Sequence, residues 1–137
     1  MIEVYCDGGS RGNPGHAGFG YVVRRDGKVI KEGYGYIGIA TNNVAEYTAV
    51  IEALSWLEKH FPKVDLVINL DSKLAVSQLT GIYKVKDSKI RDLVFSIRML
   101  ANSFGQIIFR HIPRELNREA DKLVNRALDE QIKKIKY

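Results

Sequence analysis

The sequence predicts an α/β fold built on a mixed five-stranded sheet, three antiparallel strands followed by two parallel ones, flanked by helices. Three observations carry this reading. The first 40 residues hold three strand-like runs, two of them joined by Asp26-Gly27, a strong two-residue hairpin signal. A long helical stripe follows. Apolar strands then alternate with helical segments, an order that adds parallel strands through right-handed crossovers.

The elements follow in order. Residues 2–6 alternate Ile2, Val4 and Cys6 with Glu3 and Tyr5, the period of a strand. Gly8 to Gly15 is dense in Gly, Ser, Asn and Pro and reads as a loop. Residues 17–25 and 28–38 are the next strands, and Gly33, Gly35 and Gly38 predict a bulge or close backbone approach in the third. Asn43 reads as a helix N-cap, with Glu46 completing a capping box. That helix runs to His60 on a stripe of Val50, Ala53, Leu54, Leu57 and Phe61, and Pro62 stops it. Residues 64–70 form a buried strand ending at Asp71, and a short helix spans 72–79. After a polar, basic connection, 88–101 is helical, with Ile90, Leu93, Val94, Ile97 and Leu100 in register. Residues 106–111 are the last strand, 117–132 the last helix, and K-K-I-K-Y a basic end.

A chain of 137 residues fits one domain, 1–137, and is long enough to bury roughly 68–70% of its unfolded surface. A single cysteine, Cys6, excludes an intramolecular disulfide and points to a reducing compartment, the cytoplasm. No apolar run approaches ~18 residues, and no charged leader precedes the first strand, so neither a membrane span nor a signal peptide is expected. The net charge is +5, with a pI near 9.3. Basic proteins of this size often meet polyanions, although many are merely soluble.

Four acidic residues stand where a carboxylate is costly. Asp7 and Asp71 each end an apolar strand, the edge at which open α/β sheets bind ligands. Glu46, Val50, Ala53 and Leu57 share one helix face, so Glu46 points toward the sheet. Asp121 opens the last helix beside Val124 and Leu128. Structural alternatives exist for each: an Asx turn or cap for the two strand ends, the capping box for Glu46, and the helix dipole for Asp121. Four such residues from four elements nevertheless suggest one shared compensator, a pair of divalent cations. His111, ten residues before Asp121, read alone is a surface or hydrogen-bonded histidine. The glycine run lacks both the Walker A and the dinucleotide pattern; it is a tight turn or backbone laid close to a sugar–phosphate chain. No Cys/His zinc spacing and no serine triad is present.

The segments D-G-G-S-R-G-N-P-G-H-A-G-F-G, T-N-N-V-A-E-Y-T-A, L-D-S-K-L-A-V and H-I-P-R-E-L-N-R-E-A-D-K-L, in this order and spacing, resemble type 1 ribonuclease H across nearly the whole chain. The resemblance implies a ribonuclease H-like fold and an endoribonuclease cutting the RNA strand of an RNA–DNA hybrid to 5′-phosphate and 3′-hydroxyl ends. It implies that Asp7, Glu46, Asp71 and Asp121 hold two Mg²⁺ ions, with Mn²⁺ a possible substitute. Asp7 and Asp71 are the expected bridging ligands. His111 takes the position of a mobile histidine that assists turnover. Ser10, Asn13 and Asn42 are expected at ribose 2′-hydroxyls, with Thr41 and Asn42 beside a DNA phosphate. Some members carry a long basic, tryptophan-rich protrusion before the last strand. Here G-I-Y-K-V-K-D-S-K replaces it, and Lys84, Lys86 and Lys89 are its expected phosphate contacts. A monomer is expected, with no membrane partner. A DNA nuclease of the same fold and a non-catalytic hybrid-binding module are the alternatives.

Overall fold

The structure is a computed structural model that describes residues 1–136. Three long strands come first: β1 (Ile2–Gly12), β2 (Gly15–Arg25) and β3 (Lys28–Ala40). They are followed by α1 (Asn42–His60), β4 (Leu66–Leu70), α2 (Lys73–Leu79), α3 (Ser88–Ala101), β5 (Ile107–His111) and α4 (Arg118–Lys136). A short 3-10 turn, Arg114–Leu116, precedes α4. The sheet order is β3-β2-β1-β4-β5, with the first three strands antiparallel and β1-β4-β5 parallel, as the sequence predicts.

Each face of the sheet is covered differently. Ile2, Val4 and Cys6 of β1 join Ile68 and Leu70 of β4 in a core closed by Val50, Leu54 and Leu57 of α1 and Val94 and Ile97 of α3. On the other face, α4 lies over β1, β2 and β3 and buries Leu123, Val124, Ala127 and Leu128. All five residues of β4 are buried, as expected of a central parallel strand. No described helix is long and apolar enough to cross a membrane.

Three local expectations are corrected. The glycine-rich run is not a loop: β1 and β2 stay paired out to Gly12 and Gly15, with Asn13-Pro14 as the turn. Glycine is a poor strand former in isolation, but here helices press on the backbone. A Cβ on Gly8 would overlap the Ala45 carbonyl, and one on Gly20 would meet the Ala120 oxygen at 2.6 Å. Second, α1 is capped by Thr41, whose Oγ1 accepts from Val44 N at 3.3 Å, not by Asn43. Neighbouring Asn42 takes no capping role either, because its Oδ1 accepts from the Ser10 amide at 2.9 Å. Glu46 therefore belongs to no capping box. Third, α4 continues past Ile132 to Lys136, since lysine and isoleucine extend a helix readily; Tyr137 lies outside the described residues.

The Asp26-Gly27 hairpin has positive φ at both residues, 52° and 81°, as such a two-residue turn requires. In β3, a Cβ on Gly33 would strike the Tyr21 ring and one on Gly35 the Phe19 ring. The register of β2 against β3 also shifts twice. The expected bulge is therefore present, beside Gly38, while the close approach at Gly33 and Gly35 is of aromatic rings rather than backbone.

Gly8→Ala sets a Cβ against the backbone of a packed helix and should destabilise the fold by about 1–3 kcal/mol or more. Gly9→Ala brings its Cβ only to 3.8 Å from Val124 and should cost under ~1 kcal/mol. Urea denaturation of both variants is the check, and equal losses would mean that α1 can retreat from β1.

Candidate active site

Register places the first two carboxylates. Cys6 of β1 is level with Leu70 of β4 in the parallel pair, so the following residues, Asp7 and Asp71, emerge side by side at the C-terminal edge. Glu46 approaches from α1, where its face is the buried one. Asp7, Glu46 and Asp71 each offer an oxygen within 4.8 Å of the others. Asp121, in the first turn of α4, lines the same cleft of about 350 Å³.

Capping accounts for neither Asp71 nor Glu46. Asp71 does not cap α2; Ser72 does, through its Oγ to Ala75 N at 3.1 Å. Asp7 accepts from the adjacent Gly8 amide at 3.0 Å, and Glu46 Oε1 meets the same amide at 3.3 Å. Glu46 Oε2 is buried with no partner. Among the described residues, no ion pair reaches any of the four carboxylates.

The electrostatics register that imbalance. Burial, together with the charges of Asp71 and Asp121, pushes the Asp7 carboxyl from an ordinary 3.8 up to about 7. Glu46 is held well above the carboxylate range by burial first and by Asp7 second. An orphaned buried oxygen, an all-oxygen donor set and like charges in close contact suit hard divalent cations, which prefer oxygen ligands.

A second pocket, of about 450 Å³, collects Asn13, Thr41, Asn42, Asn43, Asp87 and Lys89. Asn42 and Asn43 also line the acidic cleft, so the two form one groove. Its polar wall is cross-tied. Asn13 Oδ1 accepts from Asn42 N at 3.1 Å, and Asn42 Oδ1 accepts from both the amide and the hydroxyl of Ser10. Ser10, Asn13, Thr41, Asn42 and Lys89 thus come together. Lys84 instead lines a separate cavity beside Arg91 and Phe95, and Lys86 is exposed on the connection between α2 and α3.

His111 ends β5 opposite Leu70 and is exposed; it does not line the acidic cleft. Two arginines do: Arg11 of β1, paired with Asp129 at 2.8 Å, and Arg114 from the connection after β5. The sequence reading passed over Arg114 and the buried Asn117. Both lie inside the H-I-P-R-E-L-N segment, but a loop arginine and an asparagine before a helix carry no pattern of their own.

The raised Asp7 pKa has a stability consequence. The proton bound in the folded state stabilises the fold fully below about pH 4, and this contribution is lost as pH rises through about 7. Metal-free Asp7→Asn should therefore exceed metal-free wild type in stability by ~1 kcal/mol or more near pH ~7.5, with the gap closing toward pH ~4. Melting curves in EDTA across this range test it. A variant that melts lower at the alkaline end would make Asp7 a structural residue first.

Comparisons with known proteins agree with this geometry. A family model described as "Reverse transcriptase-like" matches residues 5–127. Ribonuclease HI of Halobacterium salinarum is 42% identical over 94% of this chain, which spans 65% of that protein. Ribonuclease H of Francisella tularensis subsp. novicida is 32% identical, covering 97% of this chain and 94% of its own. Among solved structures, LC11-RNase H1, isolated from compost and crystallised in complex with an RNA/DNA hybrid, superposes with a TM-score of 0.92. It shares 40% identity and covers 96% of this chain and 99% of its own. The matched residues, the sheet order and the acidic cleft concur: this chain belongs to the type 1 ribonuclease H family.

Proposed function

We propose that this chain is an endoribonuclease that hydrolyses the RNA strand of RNA–DNA hybrids, leaving 5′-phosphate and 3′-hydroxyl ends. The observation that carries the reading is the Asp7–Glu46–Asp71 cluster, which among the described residues has no ion-pair partner and opens into a groove whose walls carry the amides of Asn13 and Asn42 together with Arg114 and Lys89. The hybrid bound by LC11-RNase H1 supports the substrate class. The reading takes residues 1–137 as one domain, working as a monomer in the cytoplasm.

Asp7, Glu46, Asp71 and Asp121 would hold two Mg²⁺ ions, or Mn²⁺. When bound, such ions lower the pKa of a water and offset charge on the phosphate and the leaving oxygen. The chain's own residues do the rest. Asp7 and Asp71, fixed by parallel pairing, hold the shared edge of the site. Glu46 is carried on a helix braced against Gly8, so its carboxylate cannot swing away. Arg114 at the cleft wall meets the scissile phosphate. Ser10, Asn13 and Asn42 read 2′-hydroxyls, Thr41 and Lys89 hold a phosphate of the DNA strand, and Lys84 and Lys86 add sequence-independent attraction. His111, at the end of β5, helps protons or product leave.

A cleavage panel of hybrid, double-stranded RNA, double-stranded DNA and DNA with one ribonucleotide, with and without Mg²⁺, tests the reading. Hybrid should be cut only with a divalent cation. Asp71→Asn should lose at least ~10³-fold in rate while still binding hybrid. Cleavage of the DNA duplex, or near-normal rates for this variant, would sink the assignment.

His111→Ala should slow turnover by about 10²-fold or less. Arg114→Ala should cost more, about 10²–10³-fold in kcat, as for the loss of one fixed donor to a developing charge. The reverse order in steady-state kinetics would return the principal role to His111.

A further inference from the structure

We propose that Asn117 is a positioning residue that sets the spacing of Asp7, Asp71 and Asp121, and through it the cation affinity of the site. The proposal rests on the metal-dependent reading above.

Asn117 sits between the 3-10 turn and α4 and is only 1% exposed. Its Nδ2 donates to the Cys6 carbonyl at 2.9 Å and to Asp71 Oδ2 at 3.3 Å. Its backbone carbonyl accepts from the Asp121 amide at 3.1 Å. One residue therefore touches the link before Asp7, the carboxylate of Asp71 and the backbone of Asp121. The first two of these bonds need the asparagine side chain, and the third fixes where α4 begins relative to it.

The chemistry of the amide shows which end matters. Both Nδ2 partners are acceptors, so the nitrogen must face them. The other end, Oδ1, is buried and unpartnered. Burying a polar atom without a partner is unfavourable, and a leucine of similar shape would avoid it. The donor is thus the part of this side chain that the site uses. A neutral donor also holds the Asp71 carboxylate without neutralising it. A lysine or arginine there would compete with a cation for the same charge. Partners of this kind, behind the ligands themselves, typically alter metal affinity by 10–100-fold when removed.

The experiment compares wild type with Asn117→Ala and Asn117→Leu. Mn²⁺ binding is read from the free-ion EPR signal without substrate, and the Mg²⁺ dependence of hybrid cleavage is read separately. Both variants should bind Mn²⁺ about 10-fold or more weakly. Half-saturating Mg²⁺ should rise in parallel, with KM for hybrid unchanged within about two-fold and kcat largely restored at saturating Mg²⁺. Asn117→Leu keeps the branching of the side chain and still fills the site, so wild-type Mn²⁺ affinity in that variant would reduce Asn117 to a space-filler and overturn the proposal. A lowered kcat with unchanged Mn²⁺ affinity would overturn it too. Should neither variant fold, the wild-type protein decides: the Asn117 side-chain NH₂ signal in an ¹H–¹⁵N spectrum should shift as Mg²⁺ is added, and a signal that stays fixed overturns the proposal. If wild type binds Mn²⁺ but cuts no hybrid, the functional reading fails while the Mn²⁺ comparison still tests Asn117.

Discussion

Everything at this site depends on the parallel pairing of β1 with β4. Their register brings Cys6 level with Leu70 and so delivers Asp7 and Asp71 to the same edge. Because side chains alternate across a strand, a slip of one residue would send one carboxylate to the opposite face. The pairing is protected by burial on both sides, with Val4, Cys6, Ile68 and Leu70 packed under α1 and Val67 and Asn69 covered on the other face. Asn69 adds a specific tie, donating from Nδ2 to the Val4 carbonyl and accepting from Arg110 Nε. The core thus stabilises the fold and sets the geometry of the charges.

Those charges work against the fold that holds them. Burial raises both Asp7 and Glu46, and neither has a cationic partner among the described residues. Placing an arginine among them would relieve the repulsion but fill the site. The fold instead places Arg114 at the cleft wall and relies on neutral groups close in: the Gly8 amide between Asp7 and Glu46, and the Asn117 amide on Asp71. Neutral donors orient carboxylates and leave their charge available. The glycines of β1 belong to the same arrangement, since a side chain on Gly8 would push α1, and Glu46 with it, away from the sheet.

The groove beside the cleft follows a similar logic. Ser10, Asn13 and Asn42 are bonded to one another before any ligand arrives, which preorganises a neutral polar wall. Lysines stand further along, Lys89 in the first turn of α3 on the groove and Lys84 on the α2–α3 connection over a separate cavity. The amide and hydroxyl groups of this wall suit hydroxyls, and the cations around it, Arg114 and Lys89, suit phosphates. That division fits a ligand recognised by its sugar and its shape.

The order of the strands, the helical stripes and the four acidic positions are all legible in the amino-acid sequence, because periodicity and the oddity of a carboxylate on an apolar face are local signals. The motif resemblance adds the family. Other features are legible only in three dimensions. The glycine run reads as a loop until α1 and α4 are seen to press on it, and then the missing side chains explain a continuous strand. Thr41 rather than Asn43 is the cap because α1 already begins at Asn42, whose side chain is held by Ser10, 32 residues away. His111 and Arg114 lie three residues apart, yet only Arg114 turns into the cleft, and Asn117 reaches Cys6 across 111 residues. Sequence determines which chemical groups this protein owns and the period on which they recur. Tertiary packing decides which of them meet, because a hydrogen bond or a steric contact depends on distance in space, and the chain between its partners leaves no trace of that distance.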